Sequence, residues 1–93
     1  MPKPSKAERI LAILAYWDPL KMKEDKRYYA MFYNYEAEEI AQSVRKNRSI
    51  LSVAKKLRAA IEMKAELEQV DVTLDDDELQ QVAAVILQSL KSG

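Results

Sequence analysis

The stretch Tyr16-Trp17-Asp18-Pro19-Leu20 constrains this chain more than any other. Proline has no N–H, and its ring disfavours α-helical geometry in the residue before it. A helix arriving from the N-terminal side must therefore stop near Trp17, with Asp18 expected in an extended or bridge conformation. Pro19 suits the first turn of whatever follows, and the Asp18 carboxylate can accept a hydrogen bond from a free N–H at or near Lys21. The single tryptophan would waste a large apolar surface in water, so Trp17 is expected to fold back onto the core with its indole N–H on a backbone carbonyl. Trp17, Asp18 and Pro19 read as a structural corner rather than a ligand site.

Composition excludes several kinds of chemistry. The chain has 93 residues, no cysteine and no histidine, so the usual zinc sites, Ser–His and Cys–His systems and histidine pH switches have no residues to build on. Its one glycine is too few for a phosphate-cradling loop. Fifteen basic residues balance fifteen acidic ones, leaving no overall field for nucleic acid or membrane. No apolar run approaches membrane-spanning length, and the opening Met-Pro-Lys-Pro is too polar for a signal peptide. These features lead us to expect a soluble, cytoplasmic, non-enzymatic domain without metal, cofactor or membrane partner.

Residues 1–4 are expected to form a flexible arm, with a single domain over 5–93. Ser5 and Glu8 make a capping box, and Ile10, Ile13, Leu14 and Trp17 follow at the spacing of one buried stripe, predicting a helix from Lys6 to Trp17. Leu20 to Lys26 is charged and aperiodic, a turn and loop in which Asp25 can cap. From Arg27 to Lys46 the apolar residues are too dense for one face. As one helix, the segment puts Tyr29, Tyr33, Ala37, Ile40 and Val44 in a core sector and Tyr28, Phe32 and Tyr35 on an aromatic shoulder. The competing reading starts the helix only at Asn34, as a cap, and leaves residues 28–33 as an ordered aromatic loop.

Asn47 is then expected in a left-handed conformation, and Ser49 as the cap of a third helix carrying Ile50, Val53, Ala54, Leu57, Ala60 and Ile61 on its stripe and fraying near Gln69. Val70 to Thr73 has strand propensity but no partner strand, so it reads as a connection. Asp75 caps a fourth helix, with Glu78 at its third position, Leu74 and Leu79 spaced for a hydrophobic staple, and a plain end at Lys91-Ser92-Gly93. The expected architecture is all-α: a compact four-helix single domain with short turns.

Four constellations invite functional readings. The acidic run from Asp71 to Glu78 fails as a calcium loop, because Asp76 stands where a glycine is needed and Val82 where a glutamate is; dipole-matched capping explains it. Glu36 with Glu39, and Glu62 with Glu66, lack the histidine a di-metal bundle adds, and read as solvated faces. Between Ile40 and Ile61 every charged residue is basic, which makes Arg45, Lys46, Arg48, Lys55, Lys56 and Arg58 a candidate nucleic-acid-binding set. A helix-turn-helix register fits there only with an insertion, since polar Gln42 falls on a core position. The aromatic segment supplies the remaining candidate: Tyr28, Met31, Phe32 and Tyr35 exceed what a small helical core needs and are the types enriched at interface centres.

The early Tyr16-Trp17-Asp18-Pro19-Leu20 after an amphipathic helix, a tyrosine with Glu36 and Ile40 downstream, and two further helices resemble a family of small bacterial helical proteins of unknown function sharing a Trp-Asp-Pro motif. The resemblance implies an all-helical domain and no catalytic residues. It spans most of the chain but is interrupted by the aromatic-basic insert from Lys21 to Asn34. The expected function is protein binding, as a regulator or an inhibitor or immunity-like module, with a partner protein or a second copy of the chain in a homodimer. DNA-binding regulation through the basic set is the alternative.

Overall fold

Ser5 accepts a hydrogen bond from the Glu8 N–H at 3.1 Å, and the first helix, α1, runs Lys6–Trp17 as the stripe requires. The computed structural model describes residues 4–91; most of the expected N-terminal arm, and the Ser92-Gly93 end, lie outside them. Three further helices follow: α2, Asn34–Lys46; α3, Ile50–Glu68; and α4, Asp76–Lys91. Ser49 caps α3 by accepting from Ser52 N–H at 3.1 Å, and Asp75 caps α4 by accepting from Glu78 N–H at 3.2 Å. Each cap satisfies a donor the helix itself leaves free.

The helices pack in cyclic order, α1 on α2, α2 on α3, α3 on α4 and α4 on α1. Neighbours run in opposite senses: Phe32 and Glu39 meet Lys64 and Lys56 across the α2/α3 seam, and Arg9 near the start of α1 donates to the Ser89 carbonyl near the end of α4. Ile10, Leu14, Ile40, Val44, Val53, Leu57, Ile61, Leu79 and Ile86 fill the interior, and Trp17 packs half-buried against it. The radius of gyration is 12.7 Å, close to the roughly 12 Å expected for a single domain of this length.

Several local expectations are corrected. Asp18 is neither extended nor in the bridge region but left-handed, at φ 45 and ψ 63. Its N–H closes α1 on the Leu14 carbonyl at 2.8 Å, and this left-handed helix ending prevails over the conformational bias of the following proline. Pro19 opens a turn, as the aperiodic segment after it leads one to expect, closed by Lys21 N–H on the Asp18 carbonyl at 3.0 Å. Asn47 is extended, at φ −150 and ψ 120; its N–H still closes α2 on the Ser43 carbonyl at 3.2 Å, while its side chain accepts from Ser49 N–H at 2.9 Å and leads the chain into α3. Ile50, placed on the buried stripe by its spacing, is 43 % exposed at the open end of α3.

The Arg27 to Lys46 segment follows the competing reading: only Asn34–Lys46 is helical. Residues 25–34 proceed by successive tight turns, with Tyr28 N–H on Asp25, Phe32 N–H on Tyr29 and Asn34 N–H on Met31. Asn34 is the first helical residue rather than a side-chain cap, the cap position falling on Tyr33. Extending helical periodicity back into these turns exchanges the roles of two rings. Tyr29 is 57 % exposed, whereas Phe32 is 2 % exposed and belongs to the core with Tyr33.

Candidate interaction surfaces

The turns of residues 25–33 are held by two clamps. At one end the Asp18 carboxylate accepts from Met22 N–H at 3.0 Å, from Lys23 N–H at 3.1 Å and from the Tyr33 hydroxyl. Burial alone would push the Asp18 carboxyl up, but those bonds, with the nearby Lys23 charge, outweigh it and hold the group below its ordinary value. Burial, and then the Asp18 carboxylate, push the Tyr33 phenol well above its own. Both groups are satisfied within the fold, which gives the pair a structural role. At the other end Asp25 accepts from the Arg27 backbone at 2.8 Å and from its guanidinium at 3.0 and 3.1 Å. That guanidinium also donates to the Glu68 carbonyl at 2.7 Å, fastening the loop to the last turn of α3.

Phe32 is the hub of the loop. Its ring lies 5.0 Å from Tyr33 edge-on, 5.9 Å from Tyr29 edge-on and 6.0 Å from Tyr28, with the Lys64 ammonium 4.2 Å from its centroid. Such ring geometry, and a cation over a ring face, are favourable contacts in their own right. Of the four aromatic-segment residues expected to meet a partner, Phe32 is therefore withdrawn: it is enclosed by its own chain. Tyr28 is half-buried against the core, while Met31 is 48 % and Tyr35 65 % exposed.

Two further exposed side chains join that corner, Met63 at 60 % and Leu67 at 73 %. At about 100° per residue, Tyr35 falls on the solvent side of Glu36 and Glu39, and Met63 and Leu67 fall on the solvent side of Ala60 and Lys64. Because Glu39 meets Lys56 at 3.2 Å and Phe32 meets Lys64, the three exposed residues share the outer rim of the α2/α3 seam. The sequence hint for Met63 was its position opposite Ile61 on the wheel, and Leu67, four residues on, lies on the same outer side.

Beneath this rim lies Glu36, which is buried, not solvated as its spacing from Glu39 suggested. Its Oε1 has no hydrogen-bond partner. Burial pushes the carboxyl above its ordinary value; its own backbone N–H and Lys64 pull it down, and Glu39 and Glu68 push it up further. A carboxylate so placed costs stability unless protonated or paired.

The basic set divides. Lys56 is paired with Glu39. Arg58 donates to the Leu74 carbonyl at 3.3 Å and to the Asp76 carboxylate, and lies 3.6 Å from Glu62. Both thus brace neighbouring elements. Arg45, Lys46, Arg48 and Lys55 are exposed. Among the described residues no group of three or more acidic side chains could hold a metal ion, and no helix is long and apolar enough to cross a membrane. Comparison with protein-family models, with curated proteins and with solved structures finds no match.

Proposed function

We propose that this protein binds another protein through the corner where residues 28–33 meet the α2/α3 seam, using Tyr29, Met31, Tyr35, Met63 and Leu67. The observation that carries the reading is the placement of Tyr35, Met63 and Leu67, each at least 60 % exposed, on one rim above a rigid aromatic support. Single exposed apolar residues need no explanation, but three large ones gathered on one seam, two of them, Tyr35 and Met63, of types favoured at interface centres, do. Phe32 and Lys64 contribute from below, fixing the loop so that little ordering is required on binding. A module of this kind suits a regulator or an inhibitor of an enzyme.

The test compares the wild-type chain with Tyr35→Ala and Leu67→Glu in pull-downs at low and high salt, and in sedimentation equilibrium to detect a second copy of this chain as the partner. The expected result is a salt-resistant complex, or a dimer, that both substitutions abolish while the melting temperature stays within about 4 °C. A complex that persists in both variants would overturn the reading.

A further inference from the structure

Charge on this molecule is sorted by end. Lys6 at the start of α1 and Arg45 near the end of α2 border one surface depression. Arg48 before α3 and Lys91 at the end of α4 border another. The three-residue connection between α2 and α3 joins the two depressions, and Lys46 lies beside it. These five cations are exposed. No ion pair forms on any of them among the described residues, where the pairs present use Arg27, Lys56, Arg58 and Lys64. On the remote loop, Lys21, Lys23, Lys26 and Arg27 are interspersed with Asp18, Glu24 and Asp25. At the basic end the acidic neighbours are Glu8, in the first turn of α1, and Glu38, beside Lys6 and Arg45, while the first turn of α3 has no acidic residue.

We infer that this end is a second interaction surface, which binds the phosphate backbone of nucleic acid independently of the protein-binding corner. The cations stand on the ends of four helices packed against one another, so they form a fixed array spread over an end face. Such an array matches an anion that repeats along a chain better than it matches one acidic side chain. Two of the five are arginines, whose planar forks suit phosphate oxygens. The array differs from the run read along the sequence: Lys56 and Arg58 are spent on internal contacts, and folding brings in Lys6 and Lys91 from the chain's two ends. The nearest members of the two surfaces along one helix, Tyr35 and Arg45 of α2, stand ten residues apart, about 15 Å at the helical rise, so the two surfaces share no residue.

Fluorescence anisotropy with a duplex DNA of about 20 base pairs, a single-stranded RNA of similar length and poly-glutamate tests this, with salt varied between about 50 and 200 mM. Binding to the DNA or the RNA is expected, and which of them binds identifies the source of the phosphates. Five phosphate contacts predict a log–log salt slope of about −4.5 on duplex, and nearer −3.5 on a single strand. Arg45→Glu combined with Arg48→Glu should weaken binding at least about tenfold, whereas Lys26→Glu on the remote loop should leave it unchanged. If thermal melting shows the double variant unfolded, Lys91→Glu and the wild-type salt slope decide the matter. Absence of binding at the lowest salt, a slope near zero, equal weakening by Lys26→Glu, or poly-glutamate binding as tight as nucleic acid would each overturn the inference.

Discussion

The Tyr33 hydroxyl donates to Asp18 Oδ1 at 2.6 Å, across fifteen residues of chain, and so ties the end of α1 to the start of α2. The same hydroxyl accepts from Leu20 N–H at 3.4 Å, and the same carboxylate accepts the Met22 and Lys23 amides. A segment without helical periodicity is thereby ordered from two buried polar groups, each of which would be costly to bury alone.

Tyr33→Phe should therefore lower stability by about 2 kcal/mol, since it removes a bond to a charged acceptor and leaves Leu20 N–H without its phenolic partner. Urea unfolding measures this as a lower midpoint at unchanged m. A loss below about 0.5 kcal/mol would show that water replaces the hydroxyl without cost.

The same pair sets the limits of the pH range. Asp18 has its folded value below its unfolded one, so its contribution is complete above the ordinary carboxylate range near pH 4 and is lost as pH falls through the depressed value. Tyr33 has its folded value raised, so its contribution is complete below about pH 10 and is lost as pH rises beyond that. The stability difference between wild type and Tyr33→Phe should narrow at both extremes. A difference that stays constant from pH 2 to 11 would contradict this account.

Glu36 has the opposite sign. Its folded value is raised by burial, so the folded state binds the proton more tightly than the unfolded chain, and stability falls as pH rises from about 4.5 through the raised value. Glu36→Gln removes the ionisation and should stabilise the protein by on the order of 1 kcal/mol at pH 8, with the gain vanishing near pH 4. Thermal melts across that range provide the check. A destabilised variant at pH 8 would mean that Lys64 compensates the buried charge in full.

Three of the four helices were legible from their start because their determinants are local. Ser5, Ser49 and Asp75 each stand immediately before an apolar stripe, and a cap with a period is all that is needed to fix an element's start and its buried face. Residues 21–33 answer to contacts made far along the chain: Tyr33 to Asp18, and Arg27 to the Glu68 carbonyl across forty-one residues. Nothing in the spacing of those residues records such partners. Glu36 looked solvated for the same reason, since it is the approach of α3 that covers it. The basic set was read as a sequence run, but which of its cations are paired depends on where α2 brings Glu39 and α4 brings Asp76.

The two aromatic-segment residues Phe32 and Tyr35, three positions apart, should respond to truncation in opposite ways. Phe32 is enclosed by Tyr28, Tyr29, Tyr33 and Lys64, so Phe32→Ala opens a cavity at the point on which the loop rests and should cost about 3–5 kcal/mol. Tyr35 projects into solvent from the first turn of α2, and its truncation should change stability by less than about 0.5 kcal/mol. Complex formation should reverse the order of cause. Tyr35→Ala loses the partner while remaining folded, and Phe32→Ala loses it only to the extent that the loop melts. Hydrogen exchange separates the two cases: amides of residues 28–34 should lose protection in Phe32→Ala and keep it in Tyr35→Ala. Equal protection in both variants would place the Phe32 ring outside the core, and the rim of the α2/α3 seam would then lack its support.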